Sequence, residues 1–265
     1  MNRLMKIEMK KLGKSLAFKI ILGIIVLTCF MNVGIFALVK VIDDPAMNMS
    51  LAVMGMMGDG LKGYNVFVSY TGAMDDVLLF TVILMCILIC GDFSSRTLQG
   101  QISAGYSRTN VAISRLFTTV IVFAVLSAVY LMLNMIGMSM IFGFGKDISF
   151  DIIVELIVRF IFCMVANVAM LSIYWLIIFM VKSVGASIGV CLPFSIFLTP
   201  IIRLIETFFE GAGKIIDWTP FGITSIPAMT SFETGDVIRL FVTSIVTVGL
   251  IITANIALFR RSELK

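Results

Sequence analysis

The chain has 265 residues, of which 60% are apolar and 14% are charged, with a mean hydropathy of +1.09 and a net charge of +4. Soluble domains of ordinary composition are about half apolar and about one quarter charged, so a water-soluble fold lacks the polar surface to cover this chain. The sequence contains no histidine, which excludes imidazole catalysis and histidine metal sites. Composition therefore indicates an integral membrane protein with a single transmembrane domain over residues 1–265.

Residues 1–18 predict a basic amphipathic helix, because apolar and basic side chains recur there on separate helical faces. The basic residues are Arg3, Lys6, Lys10, Lys11 and Lys14. Such a helix lies in the plane of the membrane interface, and each lysine or arginine near an anionic leaflet contributes about 1 kcal/mol. Two further interpretations stay open: the helix serves only as a topology signal, or it passes movement from a cytoplasmic partner into the first span.

Long uncharged runs predict the membrane spans, since a bilayer core needs about 20 apolar residues in a helix. Five uncharged runs are clear, at 20–39, 116–144, 160–181, 183–202 and 240–259, and they predict spans at about 19–40, 114–144, 158–181, 183–202 and 238–259. The first run is too long for a signal-peptide core, so we expect it to be retained. In the fifth run, Pro193 and Pro200 are expected to kink or end the helix.

The second span is harder to place, because the apolar run that ends before Asp92 is short. We predict a helix over about 70–91 that begins near Tyr70, which puts Asp75 and Asp76 at the outer interface. The alternative is a re-entrant segment. The fold expected is therefore all-α with six transmembrane helices.

The distribution of charge predicts the orientation of these spans. The N-terminus, residues 91–115, Lys182 and residues 260–265 together carry 13 basic and 3 acidic residues, whereas the segments on the other side carry 7 basic and 13 acidic residues. Cytoplasmic segments are enriched in lysine and arginine. We therefore predict a multi-pass protein of the plasma membrane with both termini in the cytoplasm.

The five cysteines each lie in or beside an apolar run: Cys29, Cys86, Cys90, Cys163 and Cys191. Buried cysteine behaves as a small apolar residue. We predict that these thiols are packing residues and that the chain holds no metal.

The only sizeable internal loop on the basic side covers residues 91–115. Asp92 or Ser94 is expected to cap a short helix over 95–104, and Gly105 is expected to end it. The loop carries too little charge for nucleic acid and lacks a phosphate-binding glycine pattern. A short capped helix that joins two spans suits docking to another protein.

The same loop resembles the permease subunits of ABC transporters of the type-2 exporter class. The resemblance rests on residues 92–99 (DFSSRTLQ), residues 105–108 (GYSR) and Ser114-Arg115, together with the basic N-terminal helix and the six spans. Two residues differ from the family pattern. Aspartate stands at position 92 where the family more often has glutamate, and Tyr106 replaces the usual proline.

The resemblance implies a coupling helix around Arg96 to Ser103 that docks onto an ABC ATPase subunit, with two ATPase copies in the complex. The residues implied are Asp92, Arg96, Thr97, Leu98, Gln99, Gln101, Ile102 and Ser103. The N-terminal helix would be the connecting helix, and the extracellular segment 203–236 would form two short re-entrant helices. The chain has no phosphate-binding loop motif. We therefore expect that it is not an enzyme and holds no cofactor, and that the partner ATPase binds Mg-ATP.

The resemblance also implies a second permease copy, in a homodimer or a related heterodimer that meets through the first and fifth spans. Gly185 and Gly189 in the fifth span form a small-xxx-small pattern that permits close helix approach. Polar residues within the spans are candidates for a substrate path: Asn32, Asn134, Asn167 and Tyr174. Hydrogen bonding between helices is the interpretation of these side chains that we favour.

The function expected is therefore the permease subunit of an ATP-driven exporter for a hydrophobic or amphipathic substrate, with a peptide as the first candidate. Import of a lipid-borne cargo is left open. One alternative is a membrane immunity or sensor protein that does not transport. An ion-coupled secondary transporter is less favoured, because such proteins keep ionisable residues at mid-membrane and the five clear runs contain none.

Overall fold

The computed structural model describes residues 2–42, 58–95, 97–209 and 211–261, and within these ranges all regular structure is helical. Six helices are long and apolar enough to cross a membrane, which confirms the all-α, six-span architecture. Numbered as first to sixth span, they are Leu16–Ile42, Asp75–Ser94, Arg108–Phe142, Phe150–Val181, Val184–Phe208 and Thr234–Arg261.

Shorter helices lie at the two ends of the bundle. The N-terminal helix, Asn2–Lys14, and the loop helix, Thr97–Ser103, occupy the end that we call the terminal face. The distal helix, Gly63–Thr71, lies at the opposite end, the distal face. The distal face also carries a 3₁₀ turn at Gly58–Leu61, a short helix at Ala212–Ile216 and a 3₁₀ helix at Gly222–Ala228.

The second span begins and ends later than its predicted range of 70–91. Tyr70 belongs to the distal helix, and after Gly72 the second span begins at Asp75. The reason is electrostatic in part, since Asp75 and Asp76 form the first turn, where carboxylates stabilise the N-terminus of a helix. The span then continues through Asp92 to Ser94, so this helix of 20 residues is long and apolar enough for a complete crossing.

The fifth span is longer than predicted. Pro193 and Pro200 both lie inside a helix that continues to Phe208, so neither proline ends it. A helix satisfies its own backbone hydrogen bonds, which lipid cannot do, and this favours continuation past a proline. The remaining four spans follow their predicted ranges to within about two helical turns at each end.

The second span forms the centre of the bundle, because it packs against the first, third, fourth and fifth spans. In its most apolar stretch 56% of the residues are buried, compared with 6% in the fifth span. Trp175 of the fourth span and Phe123 of the third are fully buried beside it. The first and fifth spans therefore present most of their apolar surface to lipid or to another protein.

The distal helix approaches the third span so closely that only glycine fits at its start. A Cβ atom on Gly63 would lie 1.8 Å from Ser139 Oγ and 2.7 Å from the Met135 carbonyl oxygen. The backbone amides of Gly63 and Tyr64 donate to the carbonyls of Gly143 and Phe144, both at 3.0 Å. These contacts fix the distal helix across the end of the third span.

All five cysteines are free and buried, as predicted. Cys86 of the second span and Cys191 of the fifth are hydrogen-bonded to each other through their thiols. Within the described ranges, no group of three or more cysteine or acidic residues is arranged to hold a metal ion.

The thiol contact gives a direct test of the packing of the second span against the fifth. Treatment with a membrane-permeant oxidant such as diamide should join Cys86 to Cys191, because a disulfide requires this proximity. Peptide mass spectrometry under non-reducing conditions should find that cross-link. Cys191→Ser should abolish it and Cys163→Ser should not. Oxidation that joins Cys86 to a cysteine other than Cys191 in the unaltered protein would contradict the packing.

Candidate functional site at the terminal face

Four charged side chains from three helices meet beneath the terminal face, and we call them the ion cluster. Glu8 and Lys11 come from the N-terminal helix, Asp92 from the last turns of the second span and Arg115 from the start of the third. The side chains of Glu8, Asp92 and Arg115 are 3%, 2% and 5% exposed. Two positive and two negative charges therefore cancel within one buried site.

Arg115 is the centre of the cluster. Its Nη1 donates a hydrogen bond to Glu8 Oε2. The same nitrogen forms an ion pair with Asp92 Oδ2, but the geometry of that contact is not that of a hydrogen bond. Lys11 Nζ donates to the other carboxylate oxygen, Asp92 Oδ1. An unpaired buried ion costs several kcal/mol, so Glu8 and Asp92 both depend on Arg115, and Arg115 depends on them.

Gln101 joins the loop helix to this cluster. Its Nε2 donates to Glu8 Oε1 at 3.1 Å, so the two oxygens of Glu8 bind the third span and the loop helix separately. The loop helix ends as predicted at Gly105, whose φ of +92° favours glycine, and the Tyr106 amide donates back to the Gln101 carbonyl at 3.2 Å. The N-terminal helix, the loop helix and two spans thus share one buried polar site.

The expected capping role of Asp92 or Ser94 is wrong. Asp92 lies inside the second span, where Lys11 and Arg115 hold its carboxylate, and the Ser94 hydroxyl donates to the Gly91 carbonyl at 2.9 Å. Thr97 and Ser103 are exposed on the loop helix. Arg96 falls outside the described residues, as do the side chains of Leu98, Gln99 and Ile102.

The N-terminal helix matches its predicted amphipathic character. Lys6, Lys10 and Lys14 are exposed, whereas Glu8 and Leu12 are buried against the spans. One basic residue of the predicted set, Lys11, turns toward Asp92, although its side chain is still 41% exposed. The side chain of Arg3 lies outside the described residues.

The candidate path residues lie in the packed interior and do not line a common opening. Asn134, Asn167 and Tyr174 are buried, and the two amide groups donate to the carbonyls of Tyr130 and Cys163, each at 2.9 Å. Asn134 also contacts Cys29 Sγ of the first span at 3.2 Å. This pattern fits hydrogen bonding within and between helices.

The other three predicted positions are more open. Asn32 is half-buried in the first span and hydrogen-bonds to the Tyr130 side chain. Gly185 and Gly189 lie on the exposed side of the fifth span, and a Cβ atom on either would meet nothing within 4 Å. That surface is open to lipid or to a second helix.

A second buried arginine organises the distal face. Arg159 of the fourth span is 2% exposed and donates to the carbonyls of Pro227 and Met229 at 2.9 and 2.7 Å. It also pairs with Glu155 at 2.7 Å, and Glu155 accepts from the Tyr64 hydroxyl at 2.5 Å. The segment after the fifth span is therefore fastened to the fourth span and the distal helix. Two short helices, Ala212–Ile216 and Gly222–Ala228, lie in the segment for which the resemblance implies two re-entrant helices.

Sequence reasoning missed the roles of Glu8, Arg115 and Arg159. Two signals were available for the terminal face. Glu8 is the single acid among the basic residues of the N-terminal helix, and Asp92 is the single acid of the loop segment 91–115. For the distal face, the spacing of Glu155 and Arg159 by four residues places both on one side of a helix.

No protein-family model matches this chain, and no curated protein matches it either. The resemblance to exporter permeases therefore stays a prediction from the quoted motif and the topology.

Loss of the Arg115 charge should destabilise the protein strongly. Arg115→Ala leaves Glu8 and Asp92 buried without their shared cation, which costs about 3–5 kcal/mol for a buried pair. Lys11→Ala removes a side chain that is 41% exposed, and we expect a loss of about 1 kcal/mol or less. Unfolding in mixed detergent micelles with increasing dodecyl sulfate measures both.

A neutral version of the cluster provides the control. The triple variant Glu8→Gln, Asp92→Asn and Arg115→Met removes all three buried charges together and should recover most of the stability lost in Arg115→Ala. A triple variant as unstable as Arg115→Ala would show that charge pairing is not what holds the site.

Proposed function

We propose that this chain is the permease subunit of an ATP-driven ABC exporter for a hydrophobic or amphipathic substrate, with a peptide as the first candidate. One observation carries the proposal. The loop helix, which the resemblance assigns to contact with an ATPase, and the N-terminal helix are joined to the second and third spans through the buried ion cluster.

The cluster supplies a short route for mechanical coupling. A displacement of the loop helix acts on Glu8 through Gln101, then on Arg115 and Asp92, which lie in the third and second spans. Because these contacts are buried and charged, separating them is costly, and the helices tend to move together. The second span then contacts the first, fourth and fifth spans, so movement at the terminal face reaches most of the bundle.

The surface of the bundle is compatible with a second permease copy. The apolar stretches of the first, fifth and sixth spans are the least buried of the six, at 17%, 6% and 17%. In the fifth span, Gly185 and Gly189 leave room for a close contact with another helix. In this proposal two permease chains, identical or related, assemble with two ATPase subunits. Those subunits bind Mg-ATP and supply the energy.

We place the protein in the plasma membrane with the terminal face in the cytoplasm. Lysine and arginine dominate the segments at that face, and acidic residues dominate the distal segments. The exposed lysines of the N-terminal helix would then lie against the anionic inner leaflet.

A second candidate function is a membrane immunity or sensor protein that binds a peptide without moving it. The closed packing of Asn134, Asn167 and Tyr174 favours this alternative, because these side chains are buried within the single chain. Reconstituted vesicles separate the two functions. ATP-dependent movement of a candidate peptide in the presence of the ATPase supports the exporter, and binding without movement supports the sensor.

The orientation predicts which face reacts with a membrane-impermeant maleimide. Ser103 and Asp147 are exposed at the terminal and distal faces, and the native cysteines are buried. On intact cells Asp147→Cys should be labelled, whereas Ser103→Cys should react only after permeabilisation. Labelling of Ser103→Cys on intact cells would reverse the assignment.

Docking of an ATPase through the loop helix predicts a specific loss of assembly. Leu98→Glu and Ile102→Glu put a charge on the predicted docking helix and should abolish co-purification of the ATPase and substrate-stimulated ATP hydrolysis. Phe150→Glu is the matched control, because Phe150 is 78% exposed at the distal face, and it should leave both intact. If the two loop variants keep assembly and hydrolysis, the docking hypothesis is wrong.

A further inference from the structure

An apolar cleft opens on the side of the bundle between the third span, the fourth span and the distal helix. Its volume is about 150 Å³. Phe67 and Leu131 form the floor, at 4% and 1% exposed, whereas Met132 and Ile157 form the rim, at 52% and 53% exposed. All the lining side chains are aliphatic, aromatic or methionine, so the cleft offers no hydrogen bond to a ligand.

We propose that this cleft binds one acyl chain of a membrane phospholipid. A cavity of about 150 Å³ lined by Leu, Ile and Phe side chains stays free of water and holds a hydrocarbon as large as benzene. The cleft here has that size and lining, and its mouth faces the hydrocarbon of the bilayer. Acyl chains are the molecules that surround it there.

The depth of the cleft agrees with the position of an acyl chain in the distal leaflet. Met135 and Ala128 lie about 10 and 20 Å from the end of the third span at Phe142, at 1.5 Å per residue. One leaflet contributes about 15 Å of the hydrocarbon core. The third span has 35 residues, about 52 Å, so its end projects beyond a hydrocarbon core of about 30 Å, and a chain that begins at the distal interface reaches into the cleft within its own length.

Polar groups lie above the cleft where a phospholipid carries its phosphate. Tyr64 precedes Phe67 by one helical turn, and Glu155 directly precedes Leu156 of the lining. Lys146 Nζ lies 3.8 Å from the centre of the Tyr64 ring and 3.7 Å from Glu155 Oε2, with 44% of its side chain exposed. A hydrogen bond to Tyr64 raises the pKa of Lys146 above its ordinary value, so an ammonium group is available to a phosphate at this level.

Bromolipid quenching of a tryptophan on the rim tests the site. The test variant carries Met132→Trp, and Trp175→Phe and Trp218→Phe remove the two native tryptophans. It is purified in detergent and titrated with dibromo-phosphatidylcholine. We expect half-maximal quenching at roughly one lipid per chain. Leu27→Trp in the same background is the matched control, because Leu27 is 62% exposed on the first span. It should need many more lipids, since a flat surface has no enclosed site. Equal lipid dependence at both positions would overturn the proposal.

Filling the cleft gives a second and independent measurement. The phenylalanine ring in Ala128→Phe fills space that about three methylene groups of the acyl chain would occupy. Because those methylene groups are then no longer buried, the affinity of the protein for the phospholipid should fall roughly fiftyfold. Native mass spectrometry should then show loss of the phospholipid that the unaltered protein retains after purification. Retention unchanged in Ala128→Phe would also overturn the proposal. Neither measurement requires an ATPase, so a failure here is distinct from a failure of the exporter assignment.

Discussion

The bridge that Arg115 makes between Glu8 and Asp92 is the interaction on which the terminal face depends. Three charges are buried there at 5% exposure or less, and such charges are tolerated only when paired. The pairing explains why the second span continues through Asp92 and why an amphipathic helix with a single acid keeps that acid inside. It also positions the loop helix, because the second oxygen of Glu8 accepts from Gln101. One guanidinium thereby defines the mutual arrangement of four helices.

A buried arginine also organises the distal face, but most of its partners there are backbone carbonyls. Arg159 pairs with one carboxylate, that of Glu155. It also donates hydrogen bonds to backbone carbonyls of the segment that follows the fifth span. A guanidinium group suits both tasks because its donors form a rigid planar fork. The bundle between these two arginines is mostly apolar, and its polar contacts are hydrogen bonds of uncharged groups, such as that from Asn134 to Cys29 Sγ. The middle is left to packing around the second span.

Hydropathy predicted the six spans well, because lipid forces each crossing to be a long apolar helix that satisfies its own backbone. The boundaries were harder, since they depend on side chains distant in sequence. The charge of Asp92 predicts a loop residue, but Lys11 and Arg115 neutralise it inside the second span. Pro200 predicts a helix end, but the fifth span continues to Phe208. The ion cluster could not be read from the sequence, because its members lie at positions 8, 11, 92 and 115. Which charges meet was decided by the packing of three helices, which no local pattern specifies.

The order of the cluster residues along the chain has a consequence for biosynthesis. Glu8, Asp92 and Arg115 emerge from the ribosome in that order, and the first two are both acidic. While only the first two spans exist, the carboxylates have no common cation and must remain hydrated at the membrane surface. The arrival of the third span brings Arg115 and permits the N-terminal helix to settle on the bundle. Closure of the terminal face thus waits for the third of the six spans, and a chain that stops before Arg115 is left with its acids in water.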